Sequence, residues 1–155
     1  MSTTVNWQTT SDTAEATELL AEKIGKQLRG GEVIELVSDL GGGKTTFVRG
    51  LVRGAGSSDR VASPSFTISK QYTTDAFEIH HFDFYRLQES GIMADEVAEV
   101  VDDPQTVVVI EWGDVVAHVL PAVRLIIRIA QTPTGNRIFS FEVPESLGYL
   151  LKEMK

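Results

Sequence analysis

A glycine-rich run at residues 38–46 is the most specific chemical signal in this sequence. It follows the pattern G-x-x-x-x-G-K-[ST], here Ser38-Asp39-Leu40-Gly41-Gly42-Gly43-Lys44-Thr45, which binds phosphate when a strand precedes it and a helix follows it. Glycines let backbone N–H groups turn toward phosphate oxygens, and the helix presents its positive end to them. The sequence therefore predicts a P-loop with nucleotide contacts from Asp39, Leu40, Gly41, Gly42, Gly43, Lys44, Thr45 and Thr46.

Two side chains of this predicted P-loop would act on ATP and its Mg²⁺ ion. Lys44 would bring a mobile cation to the β- and γ-phosphates as a catalytic residue, and the Thr45 hydroxyl would ligate Mg²⁺. The first position of the pattern is Ser38 instead of glycine. At negative φ a serine fits there at slight cost, whereas positive φ would strain it by about 1 kcal/mol or more. We expect weakened or unchanged nucleotide affinity.

Carboxylates end two segments that are predicted to be strands. Glu111 follows Val107-Val108-Val109-Ile110, and Asp83 follows Ile79-His80-His81-Phe82. A P-loop needs such an acid for its metal, and a second acid can orient the attacking water. Spacing alone leaves the division of these roles open. His80 and His81 are adjacent on a strand and point to opposite faces, so they predict hydrogen bonding rather than a zinc pair.

Periodicity and turn residues predict the elements that position these side chains. A first helix is capped at Ser11-Asp12 and ends at Gly30-Gly31, and a glycine-asparagine loop at residues 135–136 joins the last two strands. The pattern predicts one domain, residues 1–155, with a P-loop NTPase-like α/β fold and a mixed parallel/antiparallel central sheet flanked by helices. The predicted strands are Glu32–Val37, Phe66–Thr73, Phe77–Tyr85, Thr106–Ile110, Arg124–Ala130 and Arg137–Val143. The helices predicted after the first are Thr45–Gly54, Gln88–Val101 and Glu145–Met154.

Composition restricts the partners and the compartment. Fourteen Lys and Arg residues against twenty-two Asp and Glu residues leave a formal net charge of −8, which disfavours independent binding to DNA or RNA. An acidic surface suits either a basic partner or simple solubility. The chain has no cysteine, which excludes thiol chemistry and fits a reducing compartment. Since no apolar segment of membrane-spanning length and no signal peptide are evident, we expect a cytoplasmic protein without membrane contact.

Several segments together resemble the bacterial tRNA threonylcarbamoyladenosine biosynthesis ATPases of the TsaE (YjeE) family. The matching segments are SDLGGGKTTFVRGL, VASPSFTIS, HFDFYRL and IEW, followed by Leu120-Pro121. Their order and separations are similar to the family's from about Thr17 to Arg137. A P-loop alone occurs in many proteins, whereas its combination with S-P-[ST]-[FY]-T and H-x-D-x-Y-R is far more specific.

The resemblance implies a slow ATPase that works with two partner subunits of a threonylcarbamoyl-transferase complex. Together they would modify adenosine 37 of tRNAs that read codons beginning with A, and the acidity of this chain argues that tRNA contact belongs to the other subunits. The resemblance also implies site roles. Asp83 would orient water as a catalytic residue beside the γ-phosphate, Glu111 would serve Mg²⁺, Ser63 to Thr67 would form a switch-like loop, and nucleotide contacts would come from Thr17, Ser65, Thr67, Trp112 and Arg137.

Two other functions stay open at the level of sequence. A P-loop kinase for a small metabolite would need several basic residues together in a lid, but the 14 basic residues are scattered. An ATP-gated adaptor would use the bound nucleotide to order a loop, with turnover incidental. This adaptor differs from the tRNA-modification ATPase only in whether hydrolysis matters.

Overall fold

One mixed sheet forms the centre of the computed structural model, which describes residues 3–38, 43–64 and 67–154. In these residues seven strands pair in the order β1-β7-β6-β2-β5-β4-β3. The four central strands β6, β2, β5 and β4 are parallel, and β1, β7 and β3 are antiparallel to their neighbours. The predicted α/β class with a mixed sheet is confirmed. The strands are β1 (Thr4–Ser11), β2 (Val33–Val37), β3 (Ser69–Thr73), β4 (Glu78–Asp83), β5 (Thr106–Glu111), β6 (Leu125–Gln131) and β7 (Arg137–Pro144).

Helices cover both faces of the sheet and bury its apolar side chains. On one face α1 (Ala14–Gly25), α2 (Lys44–Gly54) and the C-terminal 3-10 helix (Glu145–Met154) share a core with alternate strand residues. On the other face α3 (Met93–Val101) and the 3-10 helix Gly113–Val119 pack on β4 and β5. All six residues of β5 are therefore buried. No helix in the described ranges combines the length and the apolar character needed to cross a membrane.

The structure corrects several predicted boundaries. Strand β1 was not predicted, and it pairs along its whole length with β7. Because Ser11 belongs to that strand, the N-cap of α1 is Thr13, whose side chain accepts from Ala16 N. Helix α1 ends at Gly25, well before the predicted glycine pair, and α3 begins at Met93 instead of at residue 88. The C-terminal helix has the predicted bounds but 3-10 geometry, with non-helical backbone at Leu151.

A buried carboxylate attaches the C-terminal 3-10 helix to the amino end of β2. Glu32 accepts hydrogen bonds from Tyr149 Oη at 2.6 Å and from the backbone N–H groups of Arg29 and Gly30 at 2.8 Å. The Arg29 guanidinium lies 3.8 Å from the centre of the Tyr149 ring. Burial and the bond to Glu32 raise the pKa of Tyr149 far above its usual value. The C-terminal 3-10 helix is thus held by polar contacts as well as by its buried leucines.

Helices α1 and α2 pack so closely that glycines of α2 contact the backbone of α1 directly. A Cβ added to Gly50 would lie 2.2 Å from the Glu18 carbonyl oxygen, and one added to Gly54 would lie 2.2 Å from that of Glu22. Arg53 bonds to both glutamate side chains, at 2.8 and 2.9 Å, and hydrogen bonds to Glu22 and Glu18 raise the pKa of its guanidinium. The contact fixes α2, and with it Lys44, relative to α1.

We expect Gly50→Ala to destabilise the protein by about 1–3 kcal/mol, because the added methyl group meets a backbone atom that cannot rotate away. The better helix propensity of alanine, about 1 kcal/mol, offsets only part of this cost. Urea unfolding measures the difference, and Gly148→Ala is the matched control because its Cβ would meet nothing within 4 Å. A Gly50→Ala protein as stable as Gly148→Ala would contradict the close contact.

Candidate functional site

The carboxyl ends of three neighbouring parallel strands bring the predicted acids together. In the register of the sheet, Glu111 of β5 lies between Leu36 of β2 and Asp83 of β4. Because paired residues share a face, both carboxylates lie on the face that α2 covers. Ligand sites of open α/β sheets commonly occur beyond such strand ends.

Lys44, the first residue of α2, extends into this edge of the sheet. Its Nζ donates to the carbonyl oxygen of Ser38 at 3.1 Å and lies 3.9 Å from Glu111 Oε1 and 5.0 Å from the centre of the Trp112 ring. Lys44 is only 8% exposed and Glu111 only 3% exposed. A charge buried to this degree is stable only when it is paired and hydrogen-bonded, so the ammonium and the carboxylate depend on each other.

The second oxygen of Glu111 is bound on the side away from Lys44. Glu111 Oε2 makes a short hydrogen bond with Nε2 of His81, a residue that is completely buried. His80 points to the opposite face, where its ring bonds to Glu78 at 3.2 Å. The two histidines therefore have the separate hydrogen-bonding roles that strand alternation predicted.

Asp83 is 5% exposed and links the strand end to the following and preceding loops. Its Oδ1 accepts from the backbone N–H of Tyr85 at 3.0 Å, and its own N–H donates to the Ile68 carbonyl at 2.8 Å. Ile68 has left-handed backbone (φ 70°) and closes a turn with the buried Pro64. Exposed Thr67 lies in this turn, and its hydroxyl donates to the carbonyl of Ser69. The predicted switch-like loop thus reaches Asp83 through the backbone of Ile68.

Thr17, Arg137 and Gly43, which are far apart in the sequence, are connected through short contacts. The hydroxyl of Thr17 lies 2.8 Å from that of Ser11, and Ser11 pairs with Arg137 across β1 and β7. A Cβ added to Gly43, the N-cap of α2, would lie 2.7 Å from Arg137 Nε. Gly43 has φ 95°. Arg137 therefore covers the start of the helix that carries Lys44.

The oxygen donors at this edge fit a magnesium ion that is held together with phosphate. Thr45 is half-buried in the first turn of α2, and Glu111 supplies a carboxylate. In the described part of the chain no three His, Asp or Glu side chains form a complete metal-binding group. Magnesium commonly binds through one or two carboxylates plus substrate phosphates and water.

Some of the predicted site residues lie outside the described residues, and some contacts in the structure were not predicted. The predicted residues outside the described ranges are Asp39, Leu40, Gly41, Gly42 and Ser65. Thr46, another predicted contact, is half-buried in the first turn of α2. The sequence predicted Ser11 as a helix cap, and it predicted neither the bond of Ser11 to Thr17 nor the contact between His81 and Glu111. His81 shares a strand face with Asp83, which alternation alone indicates. Its partner depends on the register between β4 and β5, which the sequence does not specify.

These features define an α/β protein with a buried cluster at the carboxyl edge of its parallel strands. The cluster consists of Lys44 at the start of α2, His81 of β4 and Glu111 at the end of β5. The family model described as "Threonylcarbamoyl adenosine biosynthesis protein TsaE" matches residues 11–139, so the chain belongs to the TsaE family. It is similar to the tRNA threonylcarbamoyladenosine biosynthesis protein TsaE of Bacillus subtilis, with 32% identity over 88% of this chain and 84% of the relative.

Another relative and a solved structure agree with this membership. The tRNA threonylcarbamoyladenosine biosynthesis protein TsaE of Treponema pallidum is 35% identical over 82% of this chain and 93% of its own length. The crystal structure of Bacillus subtilis YdiB aligns with a TM-score of 0.74 and 29% identity, covering 99% of this chain and 95% of that chain. The similarity therefore extends over nearly the whole chain.

We expect Gly43→Ala to displace the Arg137 side chain, because the added Cβ occupies the position that Nε requires. NMR of the Arg137 Nε–H group measures the displacement. Gly56→Ala is the matched control, since Gly56 also has positive φ (94°) but has nothing within 4 Å of the added atom. Both variants should lose about 1–3 kcal/mol of stability from backbone strain, and only Gly43→Ala should shift the Arg137 signal. An unchanged signal would contradict the contact.

Proposed function

We propose that this chain is an ATPase subunit in the biosynthesis of threonylcarbamoyladenosine at position 37 of tRNA, where it binds and slowly hydrolyses Mg²⁺-ATP. The observation that carries the proposal is the position of Lys44. It begins α2 directly after the glycine-rich run and lies beside Glu111 at the carboxyl edge of the sheet. Membership in the TsaE family supports the tRNA-modification role.

Each residue of the site would have a separate task in this function. Lys44 would exchange part of its contact with Ser38 and Glu111 for the β- and γ-phosphates, and the backbone of the glycine-rich run would surround them. Thr45 and Glu111 would hold Mg²⁺, which when bound neutralises charge on the phosphate oxygens. Asp83 would orient the attacking water, since it lies next to Glu111 in the sheet and its Oδ1 is held by Tyr85 N–H.

The remaining predicted residues would bind the rest of the nucleotide. Arg137 would close on it from β7, and Thr17 would lie by the adenine. Trp112 would pack beside the nucleotide, with its ring 5.1 Å from that of Tyr85. The loop of residues 63–67 would respond to the γ-phosphate and transmit its presence through Ile68 to two partner subunits of the threonylcarbamoyl-transferase complex.

Saturating Mg²⁺-ATP should stabilise the folded protein, because a ligand that binds only the folded state shifts the unfolding equilibrium. At 100-fold excess over the dissociation constant the gain is about 2.7 kcal/mol, or roughly 5–10 °C in melting temperature. Lys44→Ala should remove most of this shift. Lys26→Ala should keep it, because Lys26 is exposed and its side chain pairs with Glu22 at the surface of α1. Equal ATP shifts in the two variants would remove Lys44 from the site.

Asp83→Asn should slow phosphate release by about 100-fold or more while leaving ATP binding nearly unchanged, because the amide oxygen can still accept from Tyr85 N–H. The assay counts phosphate released to water, with and without the partner subunits and with candidate acceptor metabolites. Asp114→Asn is the control, since Asp114 is exposed in the neighbouring 3-10 helix. Wild-type turnover by Asp83→Asn would refute its role, and phosphate transfer to a metabolite would favour a kinase.

A further inference from the structure

We propose that His81 is a positioning residue that sets the orientation of the Glu111 carboxylate for the divalent ion. The inference rests on the proposed function and adds a residue to its metal site. His81 is the fully buried member of the cluster and lies two residues before Asp83 on the same face of β4. It reaches neither Lys44 nor the rim of the site in any described contact, so its effect on the chemistry passes through Glu111.

The two oxygens of Glu111 face different groups. Oε2 bonds to His81 Nε2, and Oε1 lies 3.9 Å from Lys44 Nζ. In the sheet register His81 pairs with Val109, two residues before Glu111, so the imidazole approaches the carboxylate diagonally from the interior. A carboxylate held at one oxygen by a buried ring has a fixed plane. Its other oxygen faces Lys44, where the divalent ion of the proposed function would bind.

The surroundings of His81 favour one position for the ring proton. Nδ1 is buried and has no hydrogen-bond partner within the described ranges. A proton on Nδ1 would be an unsatisfied buried donor, which costs about 1–3 kcal/mol, whereas a proton on Nε2 is donated to Glu111. A ring proton on Nε2 therefore satisfies the hydrogen bond to Glu111 and leaves Nδ1 as an acceptor.

Packing alone does not require an imidazole at this position. The preceding residue on the same face of β4 is Ile79, and the residue of β5 that pairs with His81 is Val109. Both side chains are completely buried in the core. An aliphatic side chain would fill the space without the desolvation cost of a polar ring. The bond to Glu111 is what offsets that cost. Some side chains hydrogen-bond to a metal ligand without binding the metal themselves. Removing such a side chain typically lowers metal affinity or activity by about 10–100-fold.

The test compares two polar variants with side chains of different reach. The amide nitrogen of His81→Gln can occupy the position of Nε2, whereas that of His81→Asn reaches only the position of Nδ1. Mn²⁺ is the probe, and its binding to the protein with a non-hydrolysable ATP analogue is followed by electron paramagnetic resonance. His80→Asn is the matched control, because His80 lies on the opposite face and contacts Glu78.

We expect His81→Asn to weaken Mn²⁺ binding about 10–100-fold, His81→Gln to recover most of the affinity, and His80→Asn to bind like wild type. Metal-free binding of the analogue, measured in EDTA, should be equal in all four proteins. Wild-type Mn²⁺ affinity in a folded His81→Asn protein would overturn the inference, as would equal losses in His81→Asn and His81→Gln. A wild-type protein that binds neither analogue nor Mn²⁺ would instead refute the proposed function, and the inference with it.

A measurement on the unaltered protein decides the question if both His81 variants fail to fold. NMR of ¹⁵N-labelled histidine distinguishes the two neutral forms of the ring. We expect the His81 proton on Nε2, and we expect its resonance to move when Mg²⁺ is added with the ATP analogue, because the cation withdraws charge from the shared carboxylate. A proton on Nδ1, or a resonance that Mg²⁺ leaves in place, would overturn the inference.

Discussion

The buried ammonium of Lys44 is the constraint on which the site depends. Little water reaches it, so its charge must be balanced by protein groups at the same depth. Glu111 provides that balance only if β5 keeps its register with β2 and β4, since a slip of one residue would move the carboxylate to the other face of the sheet. The geometry of the cluster therefore follows from strand pairing, and strand pairing follows from the apolar runs that the helices cover.

The parts of the fold that the sequence could predict are those with strong local signals. The β-branched runs of β2 and β5 are buried on both faces, and turn residues flank each run in the sequence. Glu111 and Asp83 were predicted at the ends of two strands, and because β5 and β4 are parallel, both acids lie at one edge of the sheet. The hairpin of β6 and β7 was equally clear, since its strands alternate around Gly135.

Elements that depend on distant partners could not be predicted in the same way. Strand β1 is an edge strand with polar side chains on its exposed face, and only its pairing with β7 makes it a strand. Ser11 has the chemistry of a helix cap, but that pairing extends the backbone through it, and its hydroxyl bonds to Thr17 instead. The partner of His81 likewise depends on inter-strand register, which no local pattern encodes.

The order of strands in the sheet has a consequence for how the chain is made. β2 lies at the middle of the sheet, but its two neighbours, β5 and β6, begin only at Thr106 and Leu125, and the partner of β1 is β7 near the end of the described chain. During synthesis the ribosome releases the central strand long before any strand that can pair with it. Helices α1 and α2, which contact each other directly, can associate early, whereas the edge of the sheet that carries Asp83 and Glu111 forms only after β5 has emerged. Such long-range pairing is typical of slow folding and leaves apolar strands exposed to chaperones or to aggregation in the interval.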